Sequence, residues 1–516
     1  MSTYVRGGLA NSPLFFVVMM LFTLTLAISV IVVQHQAVFL LVGTLFFILF
    51  VSYPVVGVYF TTALLLLSGS HGIVGYVGDS SDLAVTLSKL SGTAALVAWM
   101  INVLMKKIPF AVNWVAIWLC AFCGWALMGT ALAPDVVKQM PEWVRLVTIL
   151  GFYLLAINAL HTPRAVHIYV VILVLCGFLM SLVAVAQYLF PQLQVSGEKA
   201  WSSLGAVDAA FIDTESLQGG PAIRASGRAG HSNWLAFTVL LILPLNLYWY
   251  SVVRAKTLKL FIIASVVLQL CALILTFTRT GFLIGVVLAV LMLMKKMVKL
   301  TPQRFFGFLV AVALVYMLVL PSSYKERVFT PKQYAKSTSV QSRLQLQESA
   351  TAYAVENPLF GLGMGGFGFN FIQETNTTAL TMKYMVQHQQ WNPVFVGTHN
   401  MYLEILASTG FPGLIMFICF YVLMVRKLFV LEQEYEQEGD TQGAALASAL
   451  FISLVGFMLC SVFLHALTQK IWWMIAAAAT VLPLYEMSFK GQVVTRFHAT
   501  TEDPKSLQPV AALPSP

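Results

Sequence analysis

The sequence predicts an all-α polytopic membrane protein with about fourteen transmembrane helices and two long loops on one face, the larger partly helical. Three observations predict it. Of the 516 residues 59% are apolar, only 10% are charged, and apolar runs long enough to cross a bilayer recur along the whole chain. Soluble domains hold roughly 45–50% apolar and about 25% charged residues. The composition excludes a water-soluble globular domain, a disordered chain and a nucleic-acid binder, and makes membrane lipids the protein's main surroundings.

A helix rises about 1.5 Å per residue, so about 20 apolar residues cross the roughly 30 Å of hydrocarbon. Such runs lie near 13–33, 89–105, 110–131, 146–162, 165–191, 231–250, 260–277, 280–294, 304–320, 399–425, 443–464 and 470–487. The apolar stretch 37–68 is too long for one upright helix and contains Pro54, which predicts two short spans meeting at Ser52-Tyr53-Pro54. The first run, preceded by MSTYVRGGLANS, has no small-residue cleavage site and reads as an uncleaved anchor. All six cysteines fall inside apolar runs, so no disulfide framework is expected. Cys120 and Cys123 have no second ligand pair nearby and read as ordinary thiols rather than a zinc or redox site.

Charge orients the spans. Lys106, Lys107, Arg254, Lys256, Lys259, Lys295, Lys296, Lys299, Arg304, Arg426 and Lys427 all fall in short segments on the side of the N-terminus. Short-loop lysine and arginine mark the cytoplasmic face, which puts both termini inside. The expected organisation is N-terminal spans over 1–191, an outer loop over 192–230, spans over 231–320 and a large outer loop over 321–398. C-terminal spans over 399–487 and a Pro-rich cytoplasmic tail over 488–516 complete it, the tail read as disordered. The inner segment 428–442 is acidic and reads as a solvated helix extension.

Polar chemistry gathers on the outer side. Arg224 and Arg228 stand among glycines just before His231, Ser232 and Asn233. Guanidinium forks match phosphate oxygens bidentately and glycine lets backbone N–H groups approach, so this reads as an anion site, with headgroup anchoring as the plainer alternative. Arg279 lies between two closely spaced spans, where an arginine needs a partner or a ligand unless it snorkels to headgroups. In the larger loop, Ser339 is placed to cap a helix running to Glu356 and carrying Arg343, before Asn357-Pro358 stops it. The glycines at 361, 363, 365, 366 and 368 lack the strand and Lys-Ser/Thr of a phosphate cradle and read as a flexible turn. His399 stands at the outer mouth of a span and can take a proton from a sugar hydroxyl. Glu404, about a turn and a half deeper, needs a partner, with His399 or a basic residue as candidates. Asp213 and Glu215 form an acidic pair of the kind some metal-dependent transferases use, though such pairs in loops are usually solvated.

These residues occur in a recognisable order. Arg224-x-x-Gly227, His231-Ser-Asn233-x-Leu-Ala and Thr278-Arg279-x-Gly281 resemble the bacterial O-antigen ligase and Wzy-type O-antigen or exopolysaccharide polymerase superfamily. So do Ser342-Arg343, Asn357-Pro-Leu-Phe-Gly361-x-Gly363, and above all His399-Asn400 with Gly410 and Gly413 beyond it. The resemblance spans about residues 220–425.

It implies a GT-C-like glycosyltransferase in the bacterial inner membrane with its site facing the periplasm. It also implies an undecaprenyl-diphosphate-linked glycan as donor, a glycan, lipid A–core or protein as acceptor, and neither metal nor cofactor. Under it, Arg224, Arg228 and Arg279 clamp the diphosphate with Arg343 assisting, His399 is the base, Glu404 orients it, and Asn400 joins the substrate-binding set. Asn233 carries over only as a helix start. Ligase and polymerase stay open. The different-class alternative is a polysaccharide or lipid-linked-glycan transporter or flippase, which would place its ionisable residues near the midplane and usually shows internal repeats.

Overall fold

The computed structural model describes residues 36–67, 87–107, 110–190, 225, 232–297, 338–374 and 397–489. Among these residues the chain is all helical, with fourteen helices: α1 Gln36–Ser52, α2 Pro54–Leu67, α3 Leu87–Leu104, α4 Trp114–Ala131, α5 Val136–Ala159, α6 Pro163–Leu189, α7 Ser232–Val252, α8 Lys256–Leu275, α9 Arg279–Met294, α10 Thr338–Glu356, α11 Gly366–Glu374, α12 Met401–Gln437, α13 Thr441–Ser461 and α14 Lys470–Leu484. Seven are long and apolar enough to cross a membrane and five more are shorter apolar helices. The expected spans at 13–33 and 304–320 lie outside the described residues.

Stretch 37–68 does divide at Tyr53, and the break follows from Pro54, which cannot donate into the preceding turn. α7 and α13 form the middle of the bundle. α7 is buried almost all round, packing on α6, α8, α9 and α13. The outer ring shows apolar side chains outward, as with Leu260, Ile263 and Val267 of α8 and Phe282, Val286 and Val290 of α9, the surface lipid would cover. Between α7 and α8, Asn246 donates to Gln269 Oε1 at 3.1 Å, Ser265 donates to Asn246 Oδ1 at 3.2 Å, and Gln269 donates to Ser265 Oγ at 3.1 Å. This closed ring of neutral groups is glue between helices that have no hydrophobic force to join them in lipid.

Two expectations change at the helix ends. α5 begins at Val136, ten residues before the apolar run, because Lys138, Glu142 and Arg145 form i,i+3 ion pairs along an added polar stretch (Lys138–Asp135 at 2.9 Å, Arg145–Glu142 at 3.3 Å). Segment 428–442 is helical to Gln437, yet it is not simply solvated. Glu432 is buried, 2.6 Å from Lys295 Nζ and accepting from Ser448, and the Lys295 ammonium lies over the Phe429 and Phe451 rings at 4.9 and 5.0 Å. Asp440 caps α13 by accepting from Gly443 N and holds the stretch after α14 by accepting from Phe489 N.

α12 is about 55 Å long at the usual rise, more than the hydrocarbon needs. It is not one helix: Gly410 has φ 68° and ψ −174° and breaks it. Backbone groups freed inside a membrane bundle need partners. The turn between α10 and α11 supplies them: Phe411 N donates to Pro358 O and Leu362 N donates to Ala407 O, both at 2.8 Å. Trp125 of α4 donates from Nε1 toward Leu359 O (3.2 Å) and Thr409 O (3.0 Å), and its ring stacks on Phe360 at 4.7 Å. The glycine-rich stretch is therefore a packed clasp rather than a flexible turn. Gly361, Gly363 and Gly365 all have positive φ, and a Cβ at Gly361 would lie 2.5 Å from Ala407 O. α10 begins at Thr338, which places Ser339 inside the helix rather than at its cap. Leu346, Ala350 and Tyr353 of α10 close over Phe367, Phe371 and Ala407, fixing the α10–α11 module on the short α12 segment before Gly410.

Candidate active site

His399 sits at the entrance to α12 with φ 53°, a left-handed conformation uncommon outside glycine. The residues around it impose that conformation. Asn400 caps the helix, its Oδ1 accepting from Tyr402 N (3.0 Å) and Leu403 N (3.2 Å). Glu404 reaches back over the helix start and accepts from Thr398 N at 2.8 Å, with the Thr398 hydroxyl 3.2 Å away. That hydroxyl also lies 2.6 Å from Asn400 O and accepts from Asn400 N at 3.1 Å. Thr398 is the partner Glu404 needs, in place of the histidine or basic residue expected from sequence. A carboxylate in the first turn also suits the helix dipole. Glu404 thus bonds to the residue immediately before His399.

A second imidazole meets the first. His465, in the turn between α13 and α14, stands edge-to-face with His399, ring centres 5.4 Å apart at 71°, and edge-to-face with Trp234 at 5.5 Å and 88°. Gly397 is what allows the approach, since a Cβ there would lie 2.7 Å from His465 Cγ and 3.1 Å from Glu404 Oε2. The turn is held from below. Trp472 Nε1 donates to Ala466 O (3.0 Å) and Trp473 Nε1 donates to Leu467 O (2.7 Å), and both indoles are fully buried. Burial, with Arg145 and Arg343 nearby, pushes the His465 imidazole down to about 4 and keeps it neutral near pH 7. Arg343, half-buried on α10, thus lies within electrostatic reach of His465.

Arg279 begins α9 after Thr278, half-buried at the same end of the bundle. A cation there opposes the helix dipole, whereas an anion docking there would meet both the guanidinium and the first free N–H groups. The first turn of α7 links this corner to the histidines. Trp234 packs on His465, and two residues on, Ala236 faces Gly281, whose added Cβ would lie 3.1 Å from Ala236 Cβ. Ala225 N donates to Leu275 O at 2.9 Å, which puts Ala225 against the end of α8. Arg224, Arg228 and His231 themselves, with Asp213 and Glu215, lie outside the described residues. Asn233 lies in the first turn of α7.

The structure thus gathers His399, Asn400 and Glu404 in one turn, brings Arg343 within reach of His465, and puts Arg279 at the neighbouring corner. Sequence reading missed His465, Trp234 and Arg145. Trp234 adjoins Asn233 in a motif already noted, but nothing local distinguishes His465 from any other histidine between two spans. Among the described residues no three His, Cys, Asp or Glu side chains converge as metal ligands.

Residues 264–418 match the family model described as O-antigen ligase. The matched stretch contains Arg279, Arg343, His399, Asn400, Glu404 and Gly410 of the α12 break, while Trp125, Trp234 and His465 fall outside it. No curated protein matches the chain.

Proposed function

We propose that this chain, whose residues 264–418 match the family model described as O-antigen ligase, transfers a glycan from undecaprenyl diphosphate to an acceptor hydroxyl at the periplasmic face of the bacterial inner membrane. The observation that carries the reading is the His399 turn. A histidine with a left-handed backbone sits in a turn held by Asn400, Thr398 and Glu404, at the end of the bundle where Arg279 opens α9. In the reaction the acceptor oxygen bonds to the anomeric carbon, the bond from that carbon to the diphosphate oxygen breaks, and the hydroxyl proton passes to His399. Undecaprenyl diphosphate leaves with the electron pair, and arginines offset its growing charge. Arg279 is assigned to that clamp, with Arg343 from the α10–α11 module and, from the sequence motif, Arg224 and Arg228. A guanidinium clamp supplies in fixed form the positive charge that a metal ion supplies elsewhere.

The acceptor side is assigned to the α10–α11 module. An open groove along α10 is lined by Gln347, Glu348, Thr351 and Glu356 beside Leu344, Val355 and Leu403, a mixture of hydrogen-bonding groups and apolar faces suited to sugar rings.

The test uses a strain deleted for this chain. Complementation with the wild-type sequence restores polymer on the normal acceptor, whereas His399→Ala inserts in the membrane but does not. Unligated lipid-linked chains in the deletion strain identify a ligase, and single-repeat caps identify a polymerase. Near-native transfer by His399→Ala would overturn the assignment of the base.

A further inference from the structure

The turn that carries His465 also leads a cation into the bundle. Lys470 opens α14, half-buried two residues before the fully buried Trp472 and Trp473, and Gln469 before it makes no side-chain cap. α14 packs on α5, and Tyr153 of α5 shares a hydrogen bond of 2.8 Å with Thr480 of α14. Arg145 stands about 12 Å along α5 from Tyr153 and Lys470 about 15 Å along α14 from Thr480, both toward the end that holds His399. The two cations therefore share one level of the bundle. Arg145 and Lys89, the latter at the start of α3, lie within electrostatic reach of Lys470, and Arg145 reaches His465 as well. Nearby carboxylates are engaged elsewhere: Glu142 with Arg145 at 3.3 Å, Asp135 with Lys138 at 2.9 Å, and Glu404 with Thr398. Among the described residues no carboxylate pairs with Lys470.

We propose that Lys470 and Arg145, with Lys89 beside them, form a second phosphate-binding site that takes a phosphate group carried by a lipid-borne substrate. A cation at a helix start opposes the helix dipole, and cations drawn from three helices repel one another. A bound anion offsets both. Phosphate suits the place, because it presents several oxygens and more than one charge to a guanidinium fork and an ammonium, and because an apolar span begins at the depth of lipid phosphates. The site is separate from the Arg279 corner. Arg279 opens α9, which packs on α7, α8 and α13, whereas Arg145 and Lys470 belong to the α5–α14 pair. His465 stands between them, touching Trp234 of α7 on one side and lying within reach of Arg145 on the other. Cations on two sides of the histidines suit a transfer in which two lipid-borne substrates meet. Lys470 and Arg145 both fall outside the stretch 264–418. That the phosphate belongs to a substrate rests on the transferase reading; that a phosphate binds there does not.

The experiment titrates inorganic diphosphate into purified full-length protein in phosphatidylcholine nanodiscs, read by calorimetry. Wild type should bind two diphosphates, Lys470→Gln and Arg279→Gln one each, and the double variant none, while Lys470→Arg keeps both. A single wild-type site that survives in Lys470→Gln and vanishes in Arg279→Gln overturns the proposal and leaves the transferase reading standing. Displacement by glucuronate as readily as by diphosphate overturns phosphate as the ligand. Loss of the Lys470 site when phosphatidylglycerol replaces phosphatidylcholine assigns it to a lipid headgroup and overturns the substrate's phosphate. Without ligand Lys470→Gln should melt higher than wild type, because it relieves the repulsion, and diphosphate should raise its melting temperature less; a lower melting temperature with diphosphate binding unchanged makes Lys470 structural and overturns the site. In the transfer assay with lipid-linked glycan extracted from the deletion strain, Lys470→Gln should raise one KM about tenfold with kcat nearly unchanged, and the KM that rises, donor or acceptor, names the substrate whose phosphate is held. Both KM values at wild type, with the diphosphate site lost, overturn the substrate role. Failure of the wild type to transfer glycan defeats the transferase reading, and the diphosphate titration still decides the site. If Lys470→Gln does not fold, the exposed Arg145→Gln removes the other half of the site and serves in its place.

Discussion

Gly410→Ala isolates the clasp that ties the α10–α11 module to the base of the His399 helix. The native residue has φ 68° and ψ −174°, a region open only to glycine, and forcing a side chain there costs about 1–3 kcal/mol. The new Cβ would lie 2.4 Å from Leu359 O and 2.5 Å from Pro358 O, backbone atoms that cannot rotate aside. The turn must withdraw, losing the Phe411–Pro358 and Leu362–Ala407 hydrogen bonds, each worth about 1 kcal/mol net. Docking of the module should weaken by about 3–5 kcal/mol, a shift of about 100-fold or more in its equilibrium. Transfer rate and limited proteolysis of the α10–α11 segment measure it. The variant should be cleaved readily between Glu356 and Glu374 and should transfer at no more than a few per cent of the wild-type rate. Gly439→Ala is the control. Gly439 also has positive φ, at 70°, but nothing lies within 4 Å of its Cβ position, so about 1 kcal/mol of stability should be lost and activity kept. Wild-type protease resistance and rate in Gly410→Ala would show that the clasp does not secure the module.

Arg279→Lys should reduce kcat/KM about tenfold or more in the transfer assay, because a point charge cannot reproduce a bidentate fork; full activity would make Arg279 a headgroup anchor. Glu404→Ala leaves the Thr398 N–H unpaired and frees the His399 turn, so kcat should fall by about tenfold or more while Glu404→Gln, which can still accept that bond, stays within several-fold of wild type. For His465 the folded-state value is pushed down to about 4, below the usual range near 6.5. The unfolded chain therefore takes up the proton first, and the stability tied to this group is present above about pH 6.5 and lost as pH falls toward 4. Thermal melting between pH 7 and 4 should fall less steeply in His465→Phe than in wild type; identical slopes would mean the imidazole is not held neutral by its burial.

The spans were legible in the sequence because crossing lipid is a local requirement. Each segment satisfies its own backbone and must be apolar over its own length, so reading one run at a time found α3, α4, α6 to α9 and α12 to α14 and the division of 37–68 at Pro54. His399, Asn400 and Glu404 were legible for a related reason: they occupy a single helix start, where spacing along the chain already implies proximity. What tertiary structure alone decided is which distant segments meet. That the Gly361–Gly365 turn plugs the break at Gly410, that Glu404 answers to Thr398, and that His465 closes on His399 beside Trp234 are contacts between segments far apart in the chain or between side chains whose direction no spacing encodes. Hydropathy says that a residue leaves the lipid. Only the packing of α7, α12, α13 and α14 says which residues it then meets.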